Sequence, residues 1–507
     1  MGPGERGAPP APPLHLVNAS LNRVESTLGK AFLHSLPRYM TIVLGNGCNI
    51  DCVHCYQHKN GDNLLRAPEV GDGLRREFLA FYPFLETLRL QGGEVFALRG
   101  FESLVEDVAA VAGRPLISVS TNGTLISESW ARRIVEMPWQ TLTISLDAAT
   151  PDTFSRLRRG ADLGQVLENI ERVQSHRRRL RSWYPNLDAF FVVMRSNFRE
   201  IPAFLDLLRD LEIHEVSFQT MLVDARNLQR EPELRAEQFN DPSEVAELHE
   251  LLRDVVATRG AAFDRIAWSG MRSLFERFGL DAAFLDEASN TLLTDVDRRE
   301  RRIRRYDKPA PPAWVSPVPE ALERLQLEQG LCPNPWSTLF ITENGDVSLC
   351  FLSEPVGNLY QTPLAGIWNS PRAIAKRSRM LAGRYTTSGC SPLWCDWRDG
   401  RICEPPTAAA WTELRSLFER LVAELGSALR LVTRNADSDI PEALRAVRRM
   451  LTERDARIRE LEANLAQLWE ENAVLHTAGQ RHIAHLESRV VELERALADR
   501  AGDAVGS

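Results

Sequence analysis

The sequence predicts an α/β fold: a parallel sheet of βαβ units able to curl into a barrel or partial barrel, then a small cysteine-bearing region, then a helical C-terminal stretch. Three observations carry this. Six short apolar runs, YMTIVLG (39–45), TLRLQ (87–91), LISVS (116–120), TLTISL (141–146), DAFFVVM (188–194) and EVSFQTM (215–221), punctuate the first half. Segments with helical apolar spacing separate them, among them LRREFLAFYPFL, FESLVEDVAAVA, TFSRLRRGADLGQVLENIERV and IPAFLDLLRDL. Short apolar strands alternating with helices build parallel sheets. The eight cysteines, finally, fall into two groups: Cys48, Cys52 and Cys55, then Cys332, Cys350, Cys390, Cys395 and Cys403, with none between them.

Composition narrows the class. The 507 residues are 44% hydrophobic and 26% charged, which suits a multi-domain globular protein. A net charge of −8 argues against nucleic acid and acidic membrane surfaces as partners. The basic runs RRERRIRRYDK and HRRRLR have no interleaved stacking aromatics and read as solvated helix faces. No apolar run is long enough to span a bilayer, and the opening MGPGERGAPPAPP has no signal-peptide apolar core. A cytoplasmic chain is expected, with reduced thiols that serve as metal ligands rather than bridges.

The first cysteine group reads GCNIDCVHCYQ and follows the first strand. Three thiols are odd for a disulfide framework, and structural zinc takes cysteines in pairs. Three protein ligands leave a fourth position open. Other distinctive residues sit at the next strand ends: Gly92-Gly93-Glu94 after the second, Ser120-Thr121-Asn122-Gly123 at the third, Ser145-Leu146-Asp147 at the fourth. Taken singly, the glycines and Asn122-Gly123 are turn formers, and Asp147 and Thr150 suit a helix start before Pro151. On one rim, where βα loops carry the chemistry, together they outline a site.

On these residues the chain resembles radical S-adenosylmethionine enzymes. The C-x3-C-x2-C loop, GGE, STNG and SLD follow in order, and ISLDAATPDTFSRLRRG and FVVMRSNFREIPAFLDLL continue the likeness over roughly residues 38–222. The resemblance implies a partial (β/α)6 TIM-like barrel and a [4Fe-4S] cluster on Cys48, Cys52 and Cys55, its fourth iron chelating S-adenosylmethionine. It places His54 near the adenine, where the family usually has an aromatic residue. Gly92, Gly93 and Glu94 match the motif for the methionine amino group. Ser145 and Asp147, with Arg158 on the following helix, fall where relatives contact the ribose or carboxylate region.

The second group opens CPNPWSTLFITENGDVSLC, where LFIT and DVSLC flank turn-forming Glu343-Asn344-Gly345-Asp346. Tetrahedral sulfur suits zinc and iron-sulfur equally. Cys332, Pro335-Trp336, Gly345, Cys350, Gly357-Asn358-Leu359 and Ile367-Trp368-Asn369 resemble the SPASM or twitch extension of the same enzymes, which carries auxiliary clusters. That likeness implies one auxiliary [4Fe-4S] cluster in a small α+β domain, on Cys332, Cys350, Cys390 and Cys395, with Cys403 competing for the last place.

The expected organisation is a disordered or helical segment (1–37), the barrel (38–222), a helical connection with a Pro-rich linker (223–330), the auxiliary domain (331–405) and a helical region (406–507). In the last, Leu444, Val447, Leu451, Ile458, Leu461, Leu465, Leu468 and Leu475 occupy heptad seats, with Asn472 in a core seat. A homodimeric coiled coil over about 440–498 is expected, and His476, His482 and His485 read as surface residues. Family likeness implies reductive cleavage of S-adenosylmethionine to a 5′-deoxyadenosyl radical, which abstracts hydrogen from a substrate carbon. The expected reaction is oxidation of a small molecule or peptide, with ferredoxin or flavodoxin as electron donor. Redox-neutral epimerisation or peptide maturation is the alternative; a coiled-coil scaffold and a zinc-binding module are the non-enzymatic ones.

Overall fold

The computed structural model describes residues 14–55, 71–111, 115–137, 139–182, 184–221, 232–285, 332–385, 390 and 414–425. The expected coiled coil, the Pro-rich linker, Cys395 and Cys403 lie outside the described residues.

One mainly parallel sheet organises the chain. Its strands are β1 (Tyr39–Val43), β3 (Thr87–Gln91), β4 (Leu116–Thr121), β5 (Trp139–Ser145), β7 (Asn186–Val193) and β8 (Glu215–Thr220), neighbours in that order. All five pairings among them are parallel. A short antiparallel pair, β2 (Asp51–Cys52) with β6 (Arg158–Arg159), stands apart. Crossover helices include α2 (Asp72–Leu79), α3 (Gly100–Ala110), α4 (Glu128–Glu136), α5 (Pro151–Leu157), α6 (Leu163–Leu180) and α7 (Ile201–Asp210). The apolar strand runs are these strands, and the basic run at 176–181 supplies Arg177, Arg178 and Arg179 to the last turn of α6, where cations complement the helix dipole.

The sheet extends further at both edges. The helical connection contributes α8 (Pro242–Arg259), β9 (Arg265–Ser269) and α9 (Met271–Arg277), and β9 pairs parallel with β8. At the other edge β10 (Thr338–Ile341) pairs parallel with β1, followed by antiparallel β11 (Asp346–Ser348) and β12 (Gly357–Asn358). The hairpin expected around Gly345 is therefore continuous with the main sheet. Among the described residues, no helix is long and apolar enough to cross a membrane.

Within the segment expected to be disordered or helical (1–37), α1 runs Leu14–Thr27. It stops because Gly29 adopts φ +66 and the Lys30 N–H bonds back to the Glu25 carbonyl at 2.9 Å, a Schellman-type end. Buried polar side chains then anchor it. Asn18 donates to the carbonyls of Leu36 and Phe84, and Asn22 to that of Trp336. Two helices follow the hairpin, Leu364–Trp368 and Pro371–Leu381, kept separate because Ser370 caps the second and Pro371 opens it.

The two faces of the sheet differ. Met40, Ile42, Leu88, Leu90, Leu142 and Ile144 alternate onto a fully buried face. The opposite face is polar, unlike the usual parallel sheet, which is apolar on both sides. Across it, Thr143, Asp188, Glu215 and Arg265 stand in register on β5, β7, β8 and β9. Ser145 is two residues beyond Thr143 and so shares this face.

Candidate functional site

The cysteine loop leaves β1 and is held by the ends of three other strands. Gly93 N–H donates to the Gly45 carbonyl at 2.9 Å and Glu94 N–H to that of Gly47 at 2.8 Å. The two glycines are required by this contact. A Cβ on Gly93 would lie 2.1 Å from the Gly47 oxygen, and one on Gly92 2.6 Å from the Gly45 oxygen. The GGE segment thus packs backbone to backbone against the loop.

Glu94 is fully buried. Its carboxylate accepts from Thr121 Oγ1 and the Asn122 N–H, both at 2.7 Å, and from the Phe96 N–H at 3.2 Å. Burial pushes its pKa up despite those donors. Glu94 therefore ties the end of β3 to the end of β4. From there Asn122 reaches the loop: its Nδ2 donates to Asn49 Oδ1 at 2.9 Å and approaches Cys48 Sγ at 3.8 Å.

Asp147 closes the other side. It is fully buried, and its Oδ2 pairs with Arg158 Nη2 at 2.7 Å and His54 Nε2 at 3.1 Å, while Oδ1 accepts from the Val192 N–H at 2.8 Å. Burial alone would raise this carboxyl, but Arg158 and His54 outweigh it and bring it down to about 2. Arg158 also points Nη1 at Cys52 Sγ, 3.6 Å away. The β2–β6 pairing sets Cys52 opposite Arg158, so this contact follows from backbone register.

Burial pushes the Cys52 thiol up to about 12, with Arg158 opposing and Cys55, Asp147 and Cys48 adding to the rise. Cys48 and Cys55 lie close enough to Cys52 to oppose its ionisation, and a cationic group shared by all three would relieve this. The His54 Nδ1, buried with no hydrogen-bond partner among the described residues, adds a polar atom available to a bound molecule. Among the described residues no three His, Cys, Asp or Glu side chains converge as they would on one metal ion. Three thiols on one loop, leaving a fourth position open, are a donor set that fits a four-iron cluster.

The second cysteine group is partly described. Cys332 is buried, and Cys350 receives the Asn334 amide at 3.6 Å. Cys390 bridges to Ser353 across the chain and lies 3.9 Å from Lys376 Nζ. The hairpin turn that carries Glu343 also touches the first loop, with Asn46 Nδ2 donating to Glu343 Oε1 at 2.6 Å. None of Asn46, Asn334, Lys376 and Glu343 is visible as a site residue from sequence; Asn122 was visible only as a turn former.

The polar face below the loop has its own network. Asp188 accepts from Thr143 Oγ1 at 3.2 Å, Ser217 Oγ at 3.4 Å and Arg265 Nη2 at 3.0 Å, and Arg89 donates to Ser120 Oγ at 2.9 Å. Burial and Glu215 push Asp188 up to about 6 although Arg265 opposes them. Between about pH 4 and 6 the folded chain keeps a proton that the unfolded chain has released, so stability falls as pH rises through that window. Asp188→Asn should remove this slope, worth roughly 2–3 kcal/mol across the window. Urea unfolding of both proteins at the two ends of the window checks it; an unchanged difference contradicts the assignment.

Comparison with known proteins identifies two domains. Residues 42–208 match the Radical SAM superfamily model, and residues 332–395 match SPASM, an iron-sulfur cluster-binding domain. The chain carries a radical SAM domain followed by a SPASM domain. These domains imply a [4Fe-4S] cluster that binds S-adenosylmethionine and auxiliary iron-sulfur binding. Curated relatives include GTP 3′,8-cyclases. That of Alkaliphilus metalliredigens is 28% identical over 138 residues, 26% of this chain and 42% of the relative. That of Pelotomaculum thermopropionicum is 30% identical over 138 residues, 26% of this chain and 41% of the relative. The match thus spans about two fifths of these relatives' length. Among solved structures, Streptococcus suis SuiB bound to precursor peptide SuiA aligns at 14% identity with TM-score 0.46, covering 77% of this chain and 76% of that one.

Proposed function

We propose that this radical SAM protein cleaves S-adenosylmethionine reductively at Cys48, Cys52 and Cys55 and oxidises a polar substrate bound on the open face of its sheet. The observation that carries the reading is the meeting of the cysteine loop, the Gly92-Gly93-Glu94 segment and the Asp147-Arg158 pair at one end of the parallel sheet, above a polar rather than apolar face. Bound there, the cluster and S-adenosylmethionine would supply a 5′-deoxyadenosyl radical that takes a hydrogen atom from a substrate carbon. Residues of this chain do the holding. Glu94 spends its carboxylate on Thr121 and Asn122, so the Gly92-Gly93 backbone, kept in place by it, receives the methionine end. Ser145 faces the same space, and His54 offers its Nδ1. Asp188, Arg265, Ser217 and Arg89 furnish hydrogen bonds suited to a small molecule or peptide rich in polar groups.

Cys332, Cys350 and Cys390, with Cys395 or Cys403, would hold one auxiliary cluster, positioned to accept the electron that an oxidation leaves behind. A ferredoxin or flavodoxin would supply the first electron. The test is 5′-deoxyadenosine release from anaerobically reconstituted protein with dithionite. Release is expected from the native chain and should vanish in Cys52→Ala; equal release from both would sink the reading. A second, redox-neutral reading has one observation in its favour: GTP 3′,8-cyclases are among the curated relatives. Solvent deuterium at the reacting carbon of product would select redox-neutral epimerisation over oxidation.

A further inference from the structure

The two cysteine groups share an arrangement that neither motif specifies. Each has one sulfur facing an asparagine amide and another facing the cationic head of a buried side chain. In the first group these are Asn122 on Cys48 at 3.8 Å and Arg158 on Cys52 at 3.6 Å. In the second they are Asn334 on Cys350 at 3.6 Å and Lys376 on Cys390 at 3.9 Å. Arg158 and Lys376 are about as buried as each other, at 5% and 4% exposure. We propose that Arg158 and Lys376 set the reduction potentials of the two iron-sulfur centres, each through its hydrogen bond to a ligand sulfur.

The physical basis is simple. Reduction adds one electron, and hence one negative charge, to a centre. A cation and an N–H donor at its sulfurs favour the reduced state and raise the potential. Burial strengthens the effect because little water screens it. The first site has a counterweight that reaches the cation directly: Asp147 lies 2.7 Å from Arg158. Asp147, Arg158 and Lys376 are thus positioning residues for electron transfer. This inference rests on the cluster assignment proposed above.

Electron paramagnetic resonance during redox titration tests it, on reconstituted full-length chain. Each centre takes one electron from the mediator-poised titrant, and the loop centre is recognised by its spectral change on adding S-adenosylmethionine. Arg158→Met should move the loop centre to a more negative potential and leave the auxiliary centre unchanged, with Arg158→Lys restoring most of the shift. Asp147→Asn should move the loop centre the opposite way. Lys376→Met should lower the auxiliary centre alone. Opposite signs at Arg158 and Asp147 are not what simple loosening of the fold produces. Should Arg158→Met not retain iron, Asp147→Asn and Lys376→Met decide. Native potentials in variants that hold full iron, or both centres moving together, overturn the inference while the cluster assignment stands. A native chain that takes up no iron overturns both.

Discussion

Asp147→Ala is expected to lower the unfolding free energy by about 3–5 kcal/mol, because it strands the buried Arg158 guanidinium without its carboxylate. The pair is buried: Asp147 is fully buried, and the Arg158 side chain is 7% exposed. Removing one member of such a pair costs far more than removing both, since the survivor keeps its desolvation penalty. Arg158→Met combined with Asp147→Leu should therefore recover much of the loss. Urea unfolding of the single and double variants gives the coupling directly. A double variant as unstable as the sum of the singles would show that the two side chains act independently.

Gly93→Ala should be the most damaging methyl addition among the described glycines. The new Cβ meets the Gly47 oxygen at 2.1 Å, the Gly47 carbonyl carbon at 2.5 Å and the Asn46 oxygen at 2.7 Å, all backbone atoms that cannot swing aside. The loop must shift, and the bonds from Gly93 and Glu94 to Gly45 and Gly47 shift with it. Overpacking of this kind costs about 1–3 kcal/mol. The functional effect is larger than the stability effect, because displaced residues 45–47 immediately precede Cys48. Iron content should fall at the loop centre while the auxiliary centre is retained. Full loading of both centres in Gly93→Ala would show that the loop does not depend on this contact.

Much of this architecture is legible in the amino-acid order, and the illegible parts share a cause. The six parallel strands and their helices are local, and TLRLQ or EVSFQTM betrays itself within a few residues. The cysteine loop and the GGE segment are likewise short motifs at strand ends. What sequence patterning misses is pairing between distant segments. Nothing in TLFI announces that β10 adds to β1, nor in RIAWS that β9 adds to β8. The roles of Glu94 and Asp147 were also hidden. Both carboxylates look available for a ligand, yet the fold buries them against Thr121, Asn122, Arg158 and His54. Gly29 carries a readable signal for the end of the N-terminal helix, since a glycine just past the last turn marks a helix end.

The central claim is that Cys48, Cys52 and Cys55 hold one iron-sulfur cluster and the SPASM cysteines a separate one. Iron and acid-labile sulfide per chain, measured after anaerobic reconstitution of the native protein and of a variant with those three cysteines replaced by Ala, test it most directly. Two clusters require about eight irons in the native chain and about four in the variant. Equal iron in both proteins, or no iron in either, would contradict it.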